Sequence, residues 1–415
     1  MQKPRPLKSQ TSWIHDPTTH AIMYALLLIA TPFILLNNYL IQAISMASGS
    51  SFSLFGMETK IVPMAALTVF IALLIVYRKH ITKLRLLAVA IVIFLNTLAQ
   101  QVTDYYFDHN FYDLQQNWHY IAYGLYAYML YRDLSRRNLP LYRIMLITFF
   151  SALALSAFDE VFQKYMSSRV FDICDIGKDL YGTLMGMILV YFFGKHSPAL
   201  LKDWKNIRHR RLKDYYRHPF TLLLLMFSLS FLFLNAGSIL TETEFVPLVV
   251  LLTAGVFLLF FTVWHFSQFK IGKIILVVIL VCATSLQLFF FMKYRDKNIV
   301  HTQYGLTIYK GICIPFFDIM IFQDGTLRLV DKKHYFNQRD RAFMLKKEAD
   351  IILIASGTYG KGGKGFNDPR HEFLYNSRTK KASQLIIQSN SEACKTFNRL
   401  KKENKKVLFI IHNTC

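Results

Sequence analysis

The sequence predicts an all-α polytopic membrane protein of eight to nine transmembrane helices, followed by a small soluble α/β domain. Three observations carry that expectation. The chain of 415 residues is 53% hydrophobic and only 18% charged, whereas about a quarter of the residues of a soluble domain carry charge. Its apolar residues gather into blocks such as AIMYALLLIATPFILLNNYLI (21–41) and FTLLLLMFSLSFLFLNA (220–236). Blocks of ~20 residues match ~30 Å of hydrocarbon at a rise of ~1.5 Å per residue. After residue 298 such blocks stop and short β-type runs begin.

Nine apolar segments are visible, at about 21–43, 61–77, 85–102, 118–131, 141–158, 176–194, 220–238, 246–267 and 273–292. They suggest N-terminal helices over 1–84, a core over 85–195, a basic loop at 196–219, further helices over 220–297 and a soluble domain over 298–415. The first is read as a retained helix, since no small-residue cleavage site follows it. The loops between segments alternate in charge. Arg78, Lys79, Lys83 and Arg85 lie in one, and the next (103–117) has three Asp and no Lys or Arg. The stretch 132–143 has four Arg, and 195–218 has eight Lys or Arg against two Asp. Basic loops stay on the cytoplasmic side, which places the N-terminus in the cytoplasm and the acidic stretch 158–179 outside. The net charge of +22 is largely absorbed by these loops, so lipid surfaces are the expected contact and nucleic acid is not. The ninth segment has Lys270 and Lys273 before it and Lys293, Arg295 and Lys297 after it, which leaves the tail's side open.

In the tail, QDGTLRLV predicts a hairpin at Asp324-Gly325. ADIILIAS (349–356) reads as a buried strand, 391–404 as a helix capped by Ser391, and KVLFIIH (406–412) as a closing strand. The loop SGTYGKGGKGF (356–366) lacks the continuation of a phosphate-binding loop and reads as flexible and solvated. The five cysteines show neither a CxxC pair nor zinc spacing. No metal or cofactor is expected.

The candidate site is FDEVFQKYMSSRVFDICDIGKD (158–179), where five carboxylates fall between apolar runs. On a helix starting near Asp172, the residues Asp172, Asp175, Asp179, Gly182 and Gly186 share a stripe roughly 80° wide. Gly182 and Gly186 form a small-xxx-small pattern that admits a second helix, so the acids lie on a face that packs against protein. Asp159, Glu160 and Gln163 end the preceding segment, and Lys164, Arg169 and Lys178 are nearby counter-ions. The acids either cap helices and pair with Arg169 in a folded outer loop, or form a polar pocket for a cationic or hydroxyl-rich ligand. His119 is a satellite of that site.

The string Asp159-Glu160-x-x-Gln163, Arg169-x-x-Asp172-x-x-Asp175 and Gly182-x-x-x-Gly186 resembles the signature of the VanZ-like membrane proteins. Trp118-His119-Tyr120 and Tyr123 resemble that family's first core helix. The resemblance spans about 85–195 and departs at Asp179, where the family pattern has Asn. It implies a bacterial inner-membrane protein of the cell envelope, connected with glycopeptide (teicoplanin) tolerance, with no catalytic residues assigned. The tail is similar, more distantly, to a small α/β family related to a mitochondrial complex I assembly factor, which implies a protein-interaction module. The expected function is therefore binding or organising a cell-wall precursor, lipid headgroup or glycopeptide through Asp159, Glu160, Gln163, Arg169, Asp172, Asp175, Asp179 and His119. The alternatives are a metal-assisted hydrolase and a proton-coupled transporter or flippase acting on envelope lipids.

Overall fold

A computed structural model describes residues 16–34, 43, 46–47, 50–54, 57–76, 78–103, 105, 114–165, 171–193, 211–366, 373–377 and 379–414. The chain is mostly helical with a sheet-rich C-terminal region. It divides into two compact units, residues 1–99 with 112–231 and residues 100–111 with 232–415. Residues 232–297, expected as further helices of their own, thus fall in one unit with the C-terminal domain.

The helices are α1 (Pro17–Ile34), α2 (Ile61–Val76), α3 (Lys83–Thr103), α4 (Leu114–Leu134), α5 (Leu141–Gln163), α6 (Ile173–Phe193), α7 (Leu212–Arg217), α8 (Pro219–Ile239), α9 (Val246–Phe266) and α10 (Lys270–Tyr294). A short hairpin, β1 (Ser51–Leu54) with β2 (Met57–Lys60), precedes α2 and was not expected from the sequence. Among the described residues, 6 helices are long and apolar enough to cross a membrane: α3, α5, α6, α8, α9 and α10. The other three expected spans fall on α1, α2 and α4. Helix α1 is described over the 18 residues Pro17–Ile34, and α2 has 16 residues. In α4 the apolar run is diluted by Gln115, Gln116, Asn117 and His119 at one end and Arg132 and Asp133 at the other.

In the first unit α6 is the central helix, packed against both α4 and α5. Within its apolar window 83% of residues are buried, against 0% for α10. Two helices of similar length therefore have opposite surroundings, one enclosed by protein and the other presenting Ile274, Val277, Leu280 and Phe289 outward.

The C-terminal region holds an antiparallel three-stranded sheet, β3 (Ile299–Gln303), β4 (Leu306–Tyr309) and β5 (Ile312–Pro315). A six-stranded sheet follows, built from β6 (Asp318–Ile321), β7 (Leu327–Val330), β8 (Ile351–Ala355), β9 (Phe373–Asn376), β10 (Lys381–Gln388) and β11 (Val407–Ile411), in the order β7-β6-β11-β8-β10-β9. Strand β8 runs parallel to both β10 and β11, and the remaining pairs are antiparallel. The hairpin at Asp324-Gly325 is present, with Gly325 at φ +85° and the Asp324 carboxylate accepting from the Thr326 amide at 2.9 Å. Every residue of β8 and β11 is buried, as continuous apolar strands covered on both faces require.

One cover is α12 (Asn390–Lys402), and α11 (Gln338–Lys346) lies on the opposite face. The N-cap position of α12 is Ser389 rather than Ser391, and the Ser389 hydroxyl donates to the Glu392 carboxylate instead of accepting a backbone amide. Its Ala393, Cys394, Phe397 and Leu400 fill the core beneath it. The Phe397 ring stacks on Phe409 with centroids 4.8 Å apart. Truncating that stack in Phe397→Ala is expected to destabilise the C-terminal domain by ~3–5 kcal/mol, read as a lower denaturant midpoint in the full-length protein.

Candidate functional site

The site in the first unit begins with the start of α6. The Asp172 carboxylate accepts the Cys174 amide at 2.8 Å, satisfying one of the donors that every helix start exposes. That fixes the helix phase and turns Asp175, Asp179, Gly182 and Gly186 toward α4. A Cβ on Gly182 would lie 2.8 Å from both the Cα and the carbonyl oxygen of Tyr120. A Cβ on Gly186 would lie 2.9 Å from the Cα of Gly124 and collide with its carbonyl oxygen. Both positions therefore need glycine for α4 and α6 to approach this closely.

Close approach brings His119 between two carboxylates. Its Nδ1 lies 2.9 Å from Asp179 Oδ1, and its Nε2 lies 3.5 Å from Asp175 Oδ2. The Ser156 hydroxyl of α5 donates to the other Asp179 oxygen at 2.6 Å. Lys178 is 1% exposed and donates to Asp175 Oδ1 at 2.6 Å. These charges compensate one another inside the protein, the condition under which buried ions persist. Beside them Gln163 donates to Asp159 at 2.9 Å and to Glu160 at 3.1 Å. The Asp172 amide donates across the connection to Glu160 at 2.9 Å. The ends of α5 and α6 are thus tied together by the carboxylates expected to face each other.

Of the expected site residues, the structure gathers His119, Asp159, Glu160, Gln163, Asp172, Asp175 and Asp179; Arg169 lies outside the described residues. His119, expected as a satellite, occupies the centre. Lys178, expected only as a nearby counter-ion, is buried in the cluster. Ser156 was missed, although its spacing of four and seven residues from Glu160 and Gln163 places all three on one face of α5. Asp179 sits between Ser156 and His119, so the imidazole is not positioned to deprotonate the serine. This is not the geometry of a nucleophilic triad.

Among the described residues, a histidine and carboxylate grouping within reach of one metal ion lies elsewhere. Ligand atoms of Glu242, Glu244 and His334 all fall within 4.8 Å of one another. His334 Nδ1 is 3.0 Å from Glu242 and 3.3 Å from Glu244.

In the C-terminal domain the 356–366 loop, expected to be solvated, folds back at its second half. Gly362 is buried against the His412 ring, which leaves no room for a side chain, and Gly363 lies against Ile387 and Ile354. His412 Nδ1 in turn meets Asp318 Oδ2 at 2.8 Å, Lys332 lies 3.3 Å from Oδ1, and the Asn413 amide donates to Oδ1 at 2.8 Å. Burial alone raises the Asp318 carboxyl, but the hydrogen bond and charge of His412, with Lys332 and the Asn413 amide, outweigh it and hold it below its ordinary value of 3.8.

No family profile matches the chain. A search of curated proteins also finds no match. Two solved structures are similar to part of it: MT938, and the conserved hypothetical protein PH1505 from Pyrococcus horikoshii OT3. Each is 21% identical with a TM-score of 0.23, and each covers 28% of this chain, with 98% of the former and 99% of the latter matched. Neither protein's name states an activity.

The lowered Asp318 carboxyl stabilises the fold fully above the ordinary aspartate range, and that contribution is lost as pH falls through the lowered value. Asp318→Asn is therefore expected to destabilise the C-terminal domain at neutral pH, with the difference from the parent protein narrowing below about pH 4. Unfolding curves from pH 7 to 3 check this.

Proposed function

We propose that the protein is a VanZ-like integral membrane protein of the bacterial envelope, in the inner membrane with a cytoplasmic N-terminus. Its outward-facing acidic cluster binds or organises a ligand bearing cationic or hydroxyl groups, of the class of a cell-wall precursor, lipid headgroup or glycopeptide. The observation that carries this reading is the ionic cluster assembled between apolar helices, with His119 held between Asp175 and Asp179 beside buried Lys178. Five carboxylates (Asp159, Glu160, Asp172, Asp175 and Asp179) gather around Lys178 and His119. Carboxyl oxygens outnumber the cluster's cationic groups, and such acceptors favour cationic and hydroxyl-bearing groups over phosphate.

Contacts within the second unit support an extracytoplasmic C-terminal domain. The Asp331 amide bonds to the Tyr105 carbonyl and the Lys332 amide to the Ile239 carbonyl. The His334 amide bonds to Glu242. Tyr105 follows α3, and Ile239 and Glu242 lie between α8 and α9. The opposite ends of those helices carry the basic residues Lys83 and Arg85, Arg211, Lys213 and Arg217, and Lys270. Under the positive-inside rule the contacted ends are extracytoplasmic, and α10 then crosses the membrane to deliver the domain there.

A cysteine placed at exposed Thr358 tests the side. Thr358→Cys is expected to react with a membrane-impermeant maleimide on intact cells above the parent background, and labelling only after permeabilisation would sink the assignment. Native Cys394 is unsuitable, since burial makes it inaccessible and pushes its thiol up to about 12.

For the site itself, Asp179→Asn removes one charge and is expected to weaken binding roughly tenfold, or ~1.4 kcal/mol. The checks are teicoplanin and a purified lipid-linked wall precursor titrated against the full-length protein in detergent, alongside teicoplanin susceptibility of cells. Unchanged affinity and susceptibility at normal expression would rule out this function.

A further inference from the structure

Helix α4 carries a second charged end that the binding site does not use. Asp133, fully buried, lies 3.0 Å from His20 Nδ1 and accepts the Tyr24 hydroxyl at 2.8 Å. Arg132 lies 3.5 Å from the other Asp133 oxygen and donates to the Tyr24 hydroxyl at 3.1 Å. A histidine–aspartate contact thus stands at each end of α4, His119 with Asp179 and His20 with Asp133. The 14 residues from His119 to Asp133 correspond to ~21 Å of helix, most of a ~30 Å hydrocarbon layer.

Between these ends one face of α4 presents His119, Tyr123, Tyr126, Leu130 and Asp133, spaced at four, three, four and three residues. The last four are at most 6% exposed. Hydroxyl groups line that interface. Ser156 donates to Asp179, and the Tyr123 hydroxyl faces Ser156. The Tyr123 and Tyr126 rings are 6.2 Å apart. The Tyr126 hydroxyl donates to Ser151 at 2.9 Å, and Ser151 donates to the Thr148 carbonyl at 3.0 Å. Thr148 is 1% exposed and its hydroxyl has no hydrogen-bond partner. Burying a hydroxyl in this way costs free energy that an apolar residue would not, so packing alone does not account for the file. Leu130, Leu134 and Ile144, with Leu28 packed against them, join Tyr123 and Tyr126 in one buried cluster and form the apolar layer on the way to Asp133.

We propose that this file is a proton path joining the two histidine–aspartate pairs across the membrane, with a water chain carrying the proton past the Leu130 layer. The inference rests on the reading of the first unit as membrane-spanning, and it adds proton movement to ligand binding. A proton from outer water adds to His119, and the imidazole releases one to Asp179. Ser156 and Ser151, whose own protons rest on Asp179 and on the Thr148 carbonyl, turn away from those acceptors first. Each hydroxyl then accepts a proton on a lone pair and gives up its own to the next hydroxyl or bridging water, never to the carbonyl. O–H bonds formed and broken are equal in number, and no hydroxyl keeps a charge. The proton reaches Asp133 and leaves through His20 to inner water. The charged groups governing entry are Asp175, Lys178 and Asp179 of α6 and Glu160 of α5; those governing exit are His20 and Tyr24 of α1, with Arg132.

The test uses the full-length protein in potassium-loaded liposomes containing pyranine, with valinomycin imposing an inside-negative potential. Acidification faster than in protein-free vesicles is expected, falling roughly tenfold in Tyr126→Phe and in Asp133→Asn. If Tyr126→Phe is not monodisperse, Ser151→Ala interrupts the same link. Tyr126→Phe leaves the outer cluster intact and should keep the teicoplanin and precursor affinities, whereas Asp179→Asn should lose both flux and binding. Flux equal to protein-free vesicles, or equal in parent and well-folded variants, overturns the proton path while leaving ligand binding standing. Flux without ligand binding supports the path and removes the binding function instead.

Discussion

The backbone contact between α4 and α6 at Gly182, Gly186 and Gly124 is the constraint on which the first unit depends. A helix pair separated by ordinary side chains stands 8–10 Å apart, with those side chains filling the space between the backbones. With no Cβ at Gly182 and Gly186, Tyr120 and Gly124 seat directly on α6, and one turn further on His119 is brought to 2.9 Å from Asp179. Close packing and charge placement are therefore one event. The glycines create the proximity, and the ionic contacts reward it.

Burial then determines how the charges are arranged. A lone carboxylate among apolar helices is costly, so each is given a partner: Asp175 has Lys178, Asp179 has His119 and Ser156, and Glu160 has Gln163 and the Asp172 amide. The same rule operates in the C-terminal domain under a different architecture. There Asp318 opens the interior strand β6 with His412, Lys332 and the Asn413 amide around it, and the bare Gly362 backbone covers the imidazole.

Features governed by local periodicity were readable in advance. Apolar blocks, the Asp324-Gly325 turn, the continuous strands β8 and β11, and the stripe from Asp175 to Gly186 all follow from side-chain spacing along one element. Features that need two distant segments were not. Ser156 has no distinguishing neighbour in sequence; its importance comes from meeting Asp179, which lies on another helix. His119 stood beside Trp118 with nothing to show that α6 would bring a carboxylate near each ring nitrogen. Asp133 lay unnoticed among the arginines of a basic loop, because its partners His20 and Tyr24 are more than a hundred residues away. Gly362 and Gly363 of the 356–366 loop were misjudged for a related reason, since glycines that signal freedom in a chain also permit the closest backbone contacts in a fold.

The sequence by itself determined the apolar character of the helices, the β-rich tail and the acidic, glycine-backed face of α6, because hydrophobicity and spacing are properties of a single element. Only the tertiary structure decided which charges meet, which are buried and which histidine stands at the centre. Those outcomes depend on distances of a few ångströms between residues far apart in the chain, and no local pattern encodes them.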